Sequence, residues 1–290
     1  MNTPRLGRIS FINCIPVYQG IESGIIRTAA AIKPHPPSQL NRLLAAGELD
    51  ITPVSSIAYA RHRDVCIALP DLSISADGQV MSVLLISKVP IHQLDGQTVS
   101  LTPFSDTSVV LLRILLEKFL GLKGEYQVRS ADQDPLEGSQ AGLVIGDEAL
   151  LYRKQPGLYV YDLAAEWQKH TGQAMVFALW VVRREFAHSH HAQVLSLWSD
   201  LLASRAWGEA HRAQLVRRAQ QETGLDSGLL KHYFEVLQFS LTPRHQAGLL
   251  HFYRCAWEIG LLSEQVNLEI WRETGVPCHL EQSIGRRAAN

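Results

Sequence analysis

Two strongly apolar segments, residues 81–87 and 176–182, constrain the fold of this chain more than any other feature. Before and between them, short strand patterns alternate with amphipathic helices, which indicates an α/β architecture. After the second segment the patterns are almost entirely helical. Two apolar strands that flank a self-contained middle are typical of a chain that leaves one lobe, builds another and returns. We therefore predict one lobe of residues 1–87 and 181–290, and a second of residues 88–180.

A ligand of such a chain is expected in the cleft between the lobes, near the carboxyl ends of the strands. The 27 basic and 28 acidic residues give a net charge of −1, which argues against nucleic acid or an anionic membrane surface as partner. The longest apolar run, residues 174–182, is about half of what a membrane helix needs. Because no secretory pattern follows Arg5 and Arg8, we expect a cytoplasmic protein.

The four cysteines and the cluster of His188, His190 and His191 give no metal or cofactor signal. Cys14, Cys66, Cys255 and Cys278 have no zinc-like spacing, and free thiols are expected in a reducing compartment. The sequence also lacks a phosphate-binding glycine loop. We therefore expect no cofactor and no bound metal.

Hydroxyl residues open two predicted helices directly after strands. Ser55 and Ser56 follow the strand at 49–54, and Thr107 and Ser108 precede the amphipathic helix at 109–120. Helix N-termini present free N–H groups and a positive partial charge, which suit a carboxylate ligand. Simple N-capping explains the same residues, and from the residues alone it is the stronger interpretation.

Two other turns carry polar candidates. Asn13 follows the first strand, where a doubly wound sheet presents ligand groups, although a turn asparagine needs no ligand to explain it. Gly146 and Asp147 follow the buried strand at 141–145, and we include both among the substrate-binding candidates. Asp147 is also a candidate base, but an N-cap for a helix at 148–153 is the interpretation that we favour.

Six segments together resemble the chorismate dehydratases of the futalosine route to menaquinone. The resemblance runs through residues 7–184 and fades in the C-terminal helices. The segments that carry it are GRISFINCIPVY (7–18), LNRLLAAGELDITPVSSIAYA (40–60), LPDLSISADGQVMSVLLISKVP (69–90), LTPFSDTSVVLL (101–112), LVIGDEAL (143–150) and YDLAAEWQKHTGQAMVFALWVVRR (161–184).

The resemblance implies a type II periplasmic-binding-protein-like fold with two crossover strands. It implies dehydration of chorismate to 3-[(1-carboxyvinyl)oxy]benzoate without metal or redox cofactor. It further implies that Asn13 and Ser82 are catalytic, and that the enolpyruvyl carboxylate of the substrate removes the proton. It also favours carboxylate binding by the hydroxyls at 55–56 and 107–108.

Two alternatives and one open question remain at this point. One alternative is the sister lyase that acts on cyclic dehypoxanthine futalosine, which shares the fold. The other is a solute-binding protein for a small anion, because a fold does not fix a function. The C-terminal helices are compatible with a homodimer, and the sequence leaves the oligomeric state open.

Overall fold

The structure, a computed structural model, describes residues 3–153, 155–273 and 278–280. Its strands form two sheets, as the α/β prediction requires. The first sheet contains β1 (Arg5–Ile9), β2 (Ala31–His35), β3 (Ile51–Ser55), β4 (Cys66–Ala76), β10 (Met175–Arg183), β11 (Leu268–Ile270) and β12 (Cys278–Leu280). The second contains β5 (Val83–Ser87), β6 (Thr98–Leu101), β7 (Glu125–Val128), β8 (Ala141–Ile145) and β9 (Tyr159–Asp162).

Helices surround both sheets, and the last five follow one another along the chain. They are α1 (Ile15–Glu22), α2 (Pro37–Ala45), α3 (Ser56–Arg61), α4 (Asp106–Arg113), α5 (Gly146–Tyr152), α6 (Leu163–Thr171), α7 (Arg184–Ser189), α8 (His191–Ala210), α9 (Arg212–Thr223), α10 (Ser227–Val236) and α11 (Pro243–Glu258). A π-helical stretch, Ile114–Phe119, extends α4. In the described residues no helix is both long and apolar enough to cross a lipid bilayer.

The chain passes from one sheet to the other at different residues from the predicted lobe boundaries. Strand β5, expected in the first lobe, pairs with β8 and β9 in the second sheet. Strand β10 lies wholly in the first sheet, between β3 and β4. The chain therefore passes between sheets at residues 77–82 and 172–174, and not near 88 and 180. We propose these two segments as the lobe boundaries; both strands are apolar on both faces, so the sequence pattern does not show to which lobe each belongs.

Strand β10 is the centre of the first sheet. Its first eight residues are buried, and it runs antiparallel to both neighbours. Strands β1 and β3 are parallel, as are β6 and β8 in the second sheet. Because parallel strands end at the same edge of a sheet, the turns after these four strands lie at the cleft, as predicted for a doubly wound fold.

The C-terminal helices pack on the first sheet and fix the segment that follows β1. Helix α8 crosses α1 so closely that a Cβ at Gly208 would lie 2.2 Å from the carbonyl oxygen of Pro16. After α10, the backbone of Gln238 pairs with that of Ser75 in β4 at 2.9 Å in both directions. These contacts tie helices from the end of the chain to the elements that form the cleft.

Two limits that the sequence pattern predicts for helices, a cap at Ser38 and one unbroken helix from His188 to Leu202, were wrong. Helix α2 begins at Pro37 after Pro36, so Ser38 is not its cap. The helix expected from His188 to Leu202 is divided at His190, because α7 ends there and α8 begins at the next residue.

Candidate functional site

A cavity of about 540 Å³, including its open mouth, lies between the two lobes. Residues from the ends of β1, β3 and β8 line it together with the start of α4. Its described lining consists of apolar side chains, hydroxyls and one amide: Ile9, Phe11, Asn13, Pro37, Ser55, Ile74, Val80, Ser82, Val83, Ser105, Ser108, Ile145, Gly146, Phe177 and Ala178. The cleft predicted from the sequence is therefore present, and five of its eight candidate residues line the cavity.

Asn13 reaches the cavity from a short 3-10 turn, Ile12–Cys14, that follows β1. Helix α1 begins at Ile15 directly after this turn, with Pro16 in its first turn, where proline is well tolerated. The Oδ1 atom of Asn13 is buried and has no hydrogen-bond partner in the described structure. An unpaired buried acceptor costs about 1–3 kcal/mol, so a ligand hydroxyl that donates to it would recover this free energy.

Ser55 and Ser56 are adjacent in the chain, but their side chains point to different places at the end of β3. Ser55 is the N-cap of α3, accepts a hydrogen bond from the Ala58 N–H at 3.2 Å and lines the cavity. Ser56 is fully buried, and its hydroxyl donates to the Val176 carbonyl at 2.7 Å. The structure therefore does not place Ser56 in the lining, because its side chain bonds to the core strand β10.

The start of α4 gives the cavity two hydroxyls, of which the sequence identified one. Ser105, which sequence reasoning missed, caps α4 by accepting from the Ser108 N–H at 3.2 Å. The hydroxyl oxygens of the two serines are 2.9 Å apart, and both residues line the cavity. Because the helix starts three residues earlier than predicted, Ser105 is the cap. One hydroxyl donates to the other, which leaves one hydroxyl hydrogen for a ligand.

Thr107 connects the two lobes and is absent from the described lining. It is fully buried, and its Oγ1 accepts a hydrogen bond from the Ile57 N–H at 3.0 Å. Asp106 and Arg61 form an exposed ion pair at 3.2 Å between the same two helices. The Thr107 hydroxyl thus joins α3 to α4 and keeps the two helix N-termini side by side.

Gly146 and Asp147 form a second connection between the lobes. Gly146 lines the cavity with φ of +62°, and a Cβ there would lie 3.3 Å from the Phe11 ring. Asp147 Oδ1 accepts a hydrogen bond from the Ile12 N–H at 3.3 Å. The N-cap interpretation of Asp147 was wrong, because α5 is capped by Ile145 without a side-chain bond. Asp147 itself is absent from the described lining.

Burial raises the pKa of Asp147 to about 6, and the hydrogen bond from the Ile12 N–H opposes this rise. A carboxyl group with such a pKa exchanges its proton near neutral pH. Its oxygen, however, faces the backbone of the Asn13 turn. We interpret Asp147 as a group that fixes the turn, and its part in substrate binding stays a prediction.

Ser82 lies where the chain enters the second sheet and lines the cavity with 4% of its surface exposed. Its carbonyl oxygen accepts from the Gly146 N–H at 2.8 Å, which brings the two cavity residues together. Asn13, Gly146 and Ser82 therefore form one continuous group, since Phe11 beside Asn13 packs on Gly146.

Tyr233 on α10 is a polar group that sequence reasoning missed; it lies behind Ser82 and is absent from the described lining. It is fully buried, and its hydroxyl has no fully formed hydrogen bond among the described residues. Burial raises the pKa of Tyr233, while the adjacent Ser82 side chain lowers it. No local pattern marks Tyr233, because its place depends on how the last helices pack.

Three other sequence features have structural explanations. Cys14 is buried, and burial raises the pKa of its thiol to about 12, which makes it a poor nucleophile. Trp167 is fully buried and donates to the Ala174 carbonyl at 3.2 Å, so it is a packing residue. Among residues 3–153 and 155–273, no three His, Cys, Asp or Glu side chains are grouped as metal ligands.

Comparisons with known proteins identify the family. Residues 4–258 match the model of a family described as menaquinone biosynthesis. A chorismate dehydratase of Thermus thermophilus is 29% identical over 263 residues, which cover 85% of this chain and 93% of the relative. A 1,4-dihydroxy-6-naphtoate synthase of the same organism is 26% identical over 187 residues, 64% of this chain and 68% of the relative.

Solved structures with the same fold support the two-lobed prediction. A protein of Archaeoglobus fulgidus aligns with a TM-score of 0.75 at 21% identity, covering 89% of this chain and 97% of its own. A Candida albicans protein described as having the generic periplasmic binding protein fold aligns with a TM-score of 0.69 at 13% identity, covering 92% of each chain. The periplasmic aliphatic sulphonate binding protein of Escherichia coli aligns with a TM-score of 0.63 at 15% identity, covering 91% and 94%. The predicted periplasmic-binding-protein-like fold is thus confirmed.

Proposed function

Because the chain belongs to the menaquinone biosynthesis family, we propose that it is a hydro-lyase that dehydrates chorismate to 3-[(1-carboxyvinyl)oxy]benzoate. The observation that supports this most directly is the unpaired Oδ1 of Asn13 in a cavity of hydroxyls and apolar walls. Chorismate carries a ring hydroxyl, which would satisfy that acceptor, and two carboxylates, which suit the serine hydroxyls.

The reaction removes a proton from the ring carbon that bears the enolpyruvyl ether and a hydroxide from the neighbouring carbon. The remaining electron pair completes an aromatic ring, so the products are one benzoate and one water. Proton loss spreads negative charge into the ring carboxylate, because the two are joined through a double bond. Hydrogen-bond donors placed at that carboxylate therefore stabilise the transition state.

Ser55, Ser105 and Ser108 supply such donors, and we call these three the helix-cap group. Ser55 accepts a backbone N–H, which leaves its own hydrogen available, and the Ser105–Ser108 pair has one hydrogen to donate, which we assign to Ser108. The start of α4 adds the positive partial charge of a helix N-terminus. We assign the ring carboxylate to this group.

Asn13, Ser82 and Tyr233, the junction group, are assigned to the reacting hydroxyl. The Asn13 amide has an acceptor for the hydroxyl hydrogen of the substrate and donors for the departing oxygen. Ser82, placed between the cavity and Tyr233, donates to the same oxygen as it leaves. Such donors lower the barrier because the leaving group gains charge in the transition state.

The enolpyruvyl carboxylate of the substrate is our assignment for the base. The described lining offers hydroxyls, one amide and hydrocarbon, and dry apolar walls such as Ile74, Val80 and Phe177 raise the basicity of a bound carboxylate. Asp147 is the alternative base, since its pKa of about 6 suits proton transfer.

A second candidate is the sister lyase activity on cyclic dehypoxanthine futalosine. The match to the naphtoate synthase relative favours it, although it covers less of the chain than the dehydratase match. A third is binding of a small anion without turnover, which the sulphonate-binding neighbour suggests.

Turnover of chorismate by the purified protein, without added metal or cofactor, tests the proposal. We expect a product that is lighter by one water, has a benzoate ultraviolet spectrum and forms at a rate proportional to enzyme. Ser82→Ala is the matched control and should lower this rate by about 10²–10³-fold. Bound but unchanged chorismate would support an anion-binding protein, and no binding would direct the test to the futalosine derivative.

We also propose that the protein works in the cytoplasm as a monomer or homodimer. Cys14, Cys66 and Cys255 are free thiols, which suits a reducing compartment. Cell fractionation with an antibody tests the location. Light scattering at micromolar concentration decides between monomer and dimer.

A further inference from the structure

The residue before Ser82 has an unusual backbone conformation. Met81 has φ of +67°, in the left-handed region that glycine prefers, and its side chain is fully buried. A non-glycine residue keeps such a conformation only when its surroundings impose it, and such positions cluster at functional sites. The direction in which Ser82 enters the cavity depends on this conformation, because one peptide joins the two residues.

The Asp162 carboxylate binds the backbone of Met81 and of the residue before it. Its Oδ2 accepts from the Met81 N–H at 2.7 Å, and both oxygens accept from the Val80 N–H at 3.1 Å. Its Oδ1 also caps α6 by accepting from the N–H groups of Ala164 and Ala165 at 3.1 and 3.2 Å. Oδ1 thus serves both the helix and Val80, whereas Oδ2 serves only the segment before Ser82.

Two further contacts, to Gly146 and Tyr233, hold Ser82 in position. Its carbonyl oxygen accepts from the Gly146 N–H, and its side chain faces Tyr233. The Asp162 side chain is 12% exposed, and burial raises its pKa; the N–H groups of Met81 and Val80 and the Arg153 guanidinium, 3.8 Å away, oppose this rise. Asp162 does not itself belong to the cavity lining.

We propose that Asp162 is a positioning residue that holds Met81 in the left-handed conformation and thereby directs the Ser82 hydroxyl into the cavity. The effect on catalysis rests on the proposed function, whereas the effect on the backbone of Met81 does not. Asp162 acts through Ser82 and does not contact the substrate.

Asp162→Asn separates the two tasks of the side chain. Asparagine is as good an N-cap as aspartate, so its oxygen preserves the start of α6. Its amide nitrogen then faces the Met81 N–H and cannot accept from it. We expect kcat for chorismate to fall by about 10²-fold, since small misplacements near reacting groups cost that much, while KM changes less than about twofold.

A double-mutant cycle distinguishes positioning from a general structural role. If Asp162 acts through Ser82, Asp162→Asn should cost less than about twofold when it is added to Ser82→Ala. A similar loss in both backgrounds would overturn the proposal. Asp226, which caps α10 by accepting from the Leu229 N–H, provides the matched control, and Asp226→Asn should leave kcat unchanged.

A crystal structure of Asp162→Asn tests the proposal independently of chorismate turnover. We expect Met81 to relax to negative φ and the Ser82 hydroxyl to leave the cavity. An unchanged Met81 would overturn the positioning role even if the wild-type protein dehydrates chorismate. Conversely, an inactive wild-type protein with a relaxed Met81 in the variant would refute the proposed reaction and preserve the positioning role.

Discussion

The helix-cap group lines the same cavity as Asn13 and Ser82 of the junction group, but the two groups differ in how their hydrogen bonds are satisfied. Each hydroxyl of Ser55, Ser105 and Ser108 is bonded within its own helix start. In the junction group, Asn13 Oδ1 and the Tyr233 hydroxyl are buried without a fully formed hydrogen bond. The hydrogen bonds of the helix-cap group are therefore complete without a ligand, whereas those of the junction group are incomplete.

This difference separates binding from chemistry. Groups that are already bonded lose little when the cavity is empty, so the helix-cap group suits a carboxylate that is present before and after the reaction. Unpaired groups cost free energy in the empty protein and recover it when the reacting hydroxyl arrives. Interactions that strengthen in the transition state raise kcat, whereas uniform binding lowers KM.

The largest expected effect comes from the junction group. Asn13→Ala should lower kcat by about 10²-fold or more, because it removes both the acceptor and the donors for the departing oxygen. Its melting temperature should stay at or above that of the wild type, since the lost Oδ1 has no partner to leave unsatisfied.

Asn41 on α2 is the matched control, because its Oδ1 is also buried and unpaired but lies outside the described lining. Asn41→Ala should leave kcat unchanged. Equal activity losses in both variants would remove the distinction that we draw for Asn13.

A core residue beside the helix-cap group should affect stability and not binding. Ser56→Ala removes a buried hydrogen bond and leaves the Val176 carbonyl unpaired, so we expect a loss of about 1–3 kcal/mol in the free energy of unfolding. Urea denaturation measures this loss. A raised KM without loss of stability would return Ser56 to the substrate contacts.

Within the helix-cap group, Ser108→Ala should weaken binding more than turnover. We expect KM for chorismate to rise about tenfold, close to the worth of one charge-assisted hydrogen bond, with kcat changed less than threefold. Steady-state kinetics at several chorismate concentrations measure both. An equal fall in kcat would place Ser108 in the transition state.

The smallest expected effect concerns Asp147, which links the Asn13 turn to the second lobe. Its pKa of about 6 in the folded protein exceeds the unfolded value, so the folded state binds more protons between about pH 4 and 6. The wild type should therefore lose about 1 kcal/mol of stability, relative to Asp147→Asn, as pH rises from 5 to 7. Urea denaturation of both proteins at each pH measures this difference; parallel pH profiles would contradict the raised pKa.

Local patterns predicted the helix-cap group well but not completely. Ser55 caps α3 as its position after a strand predicts, and Ser108 lies in the first turn of α4. The sequence could not show which of Ser55 and Ser56 lines the cavity, because adjacent residues at a strand end point in different directions. Sequence reasoning also missed Ser105, since α4 begins before the first residue of its periodic apolar pattern.

The chain sequence by itself determined the α/β class, the cleft between two lobes, and the turns after β1, β3 and β8 that reach it. Hydrophobic periodicity, helix caps and the family segments carry that information locally. Tertiary structure alone decided that Thr107 and Asp147 connect lobes, that β5 belongs to the second sheet, and that Tyr233 lies behind Ser82. These features depend on contacts between residues far apart in the chain, and no local pattern encodes which distant partner a side chain meets.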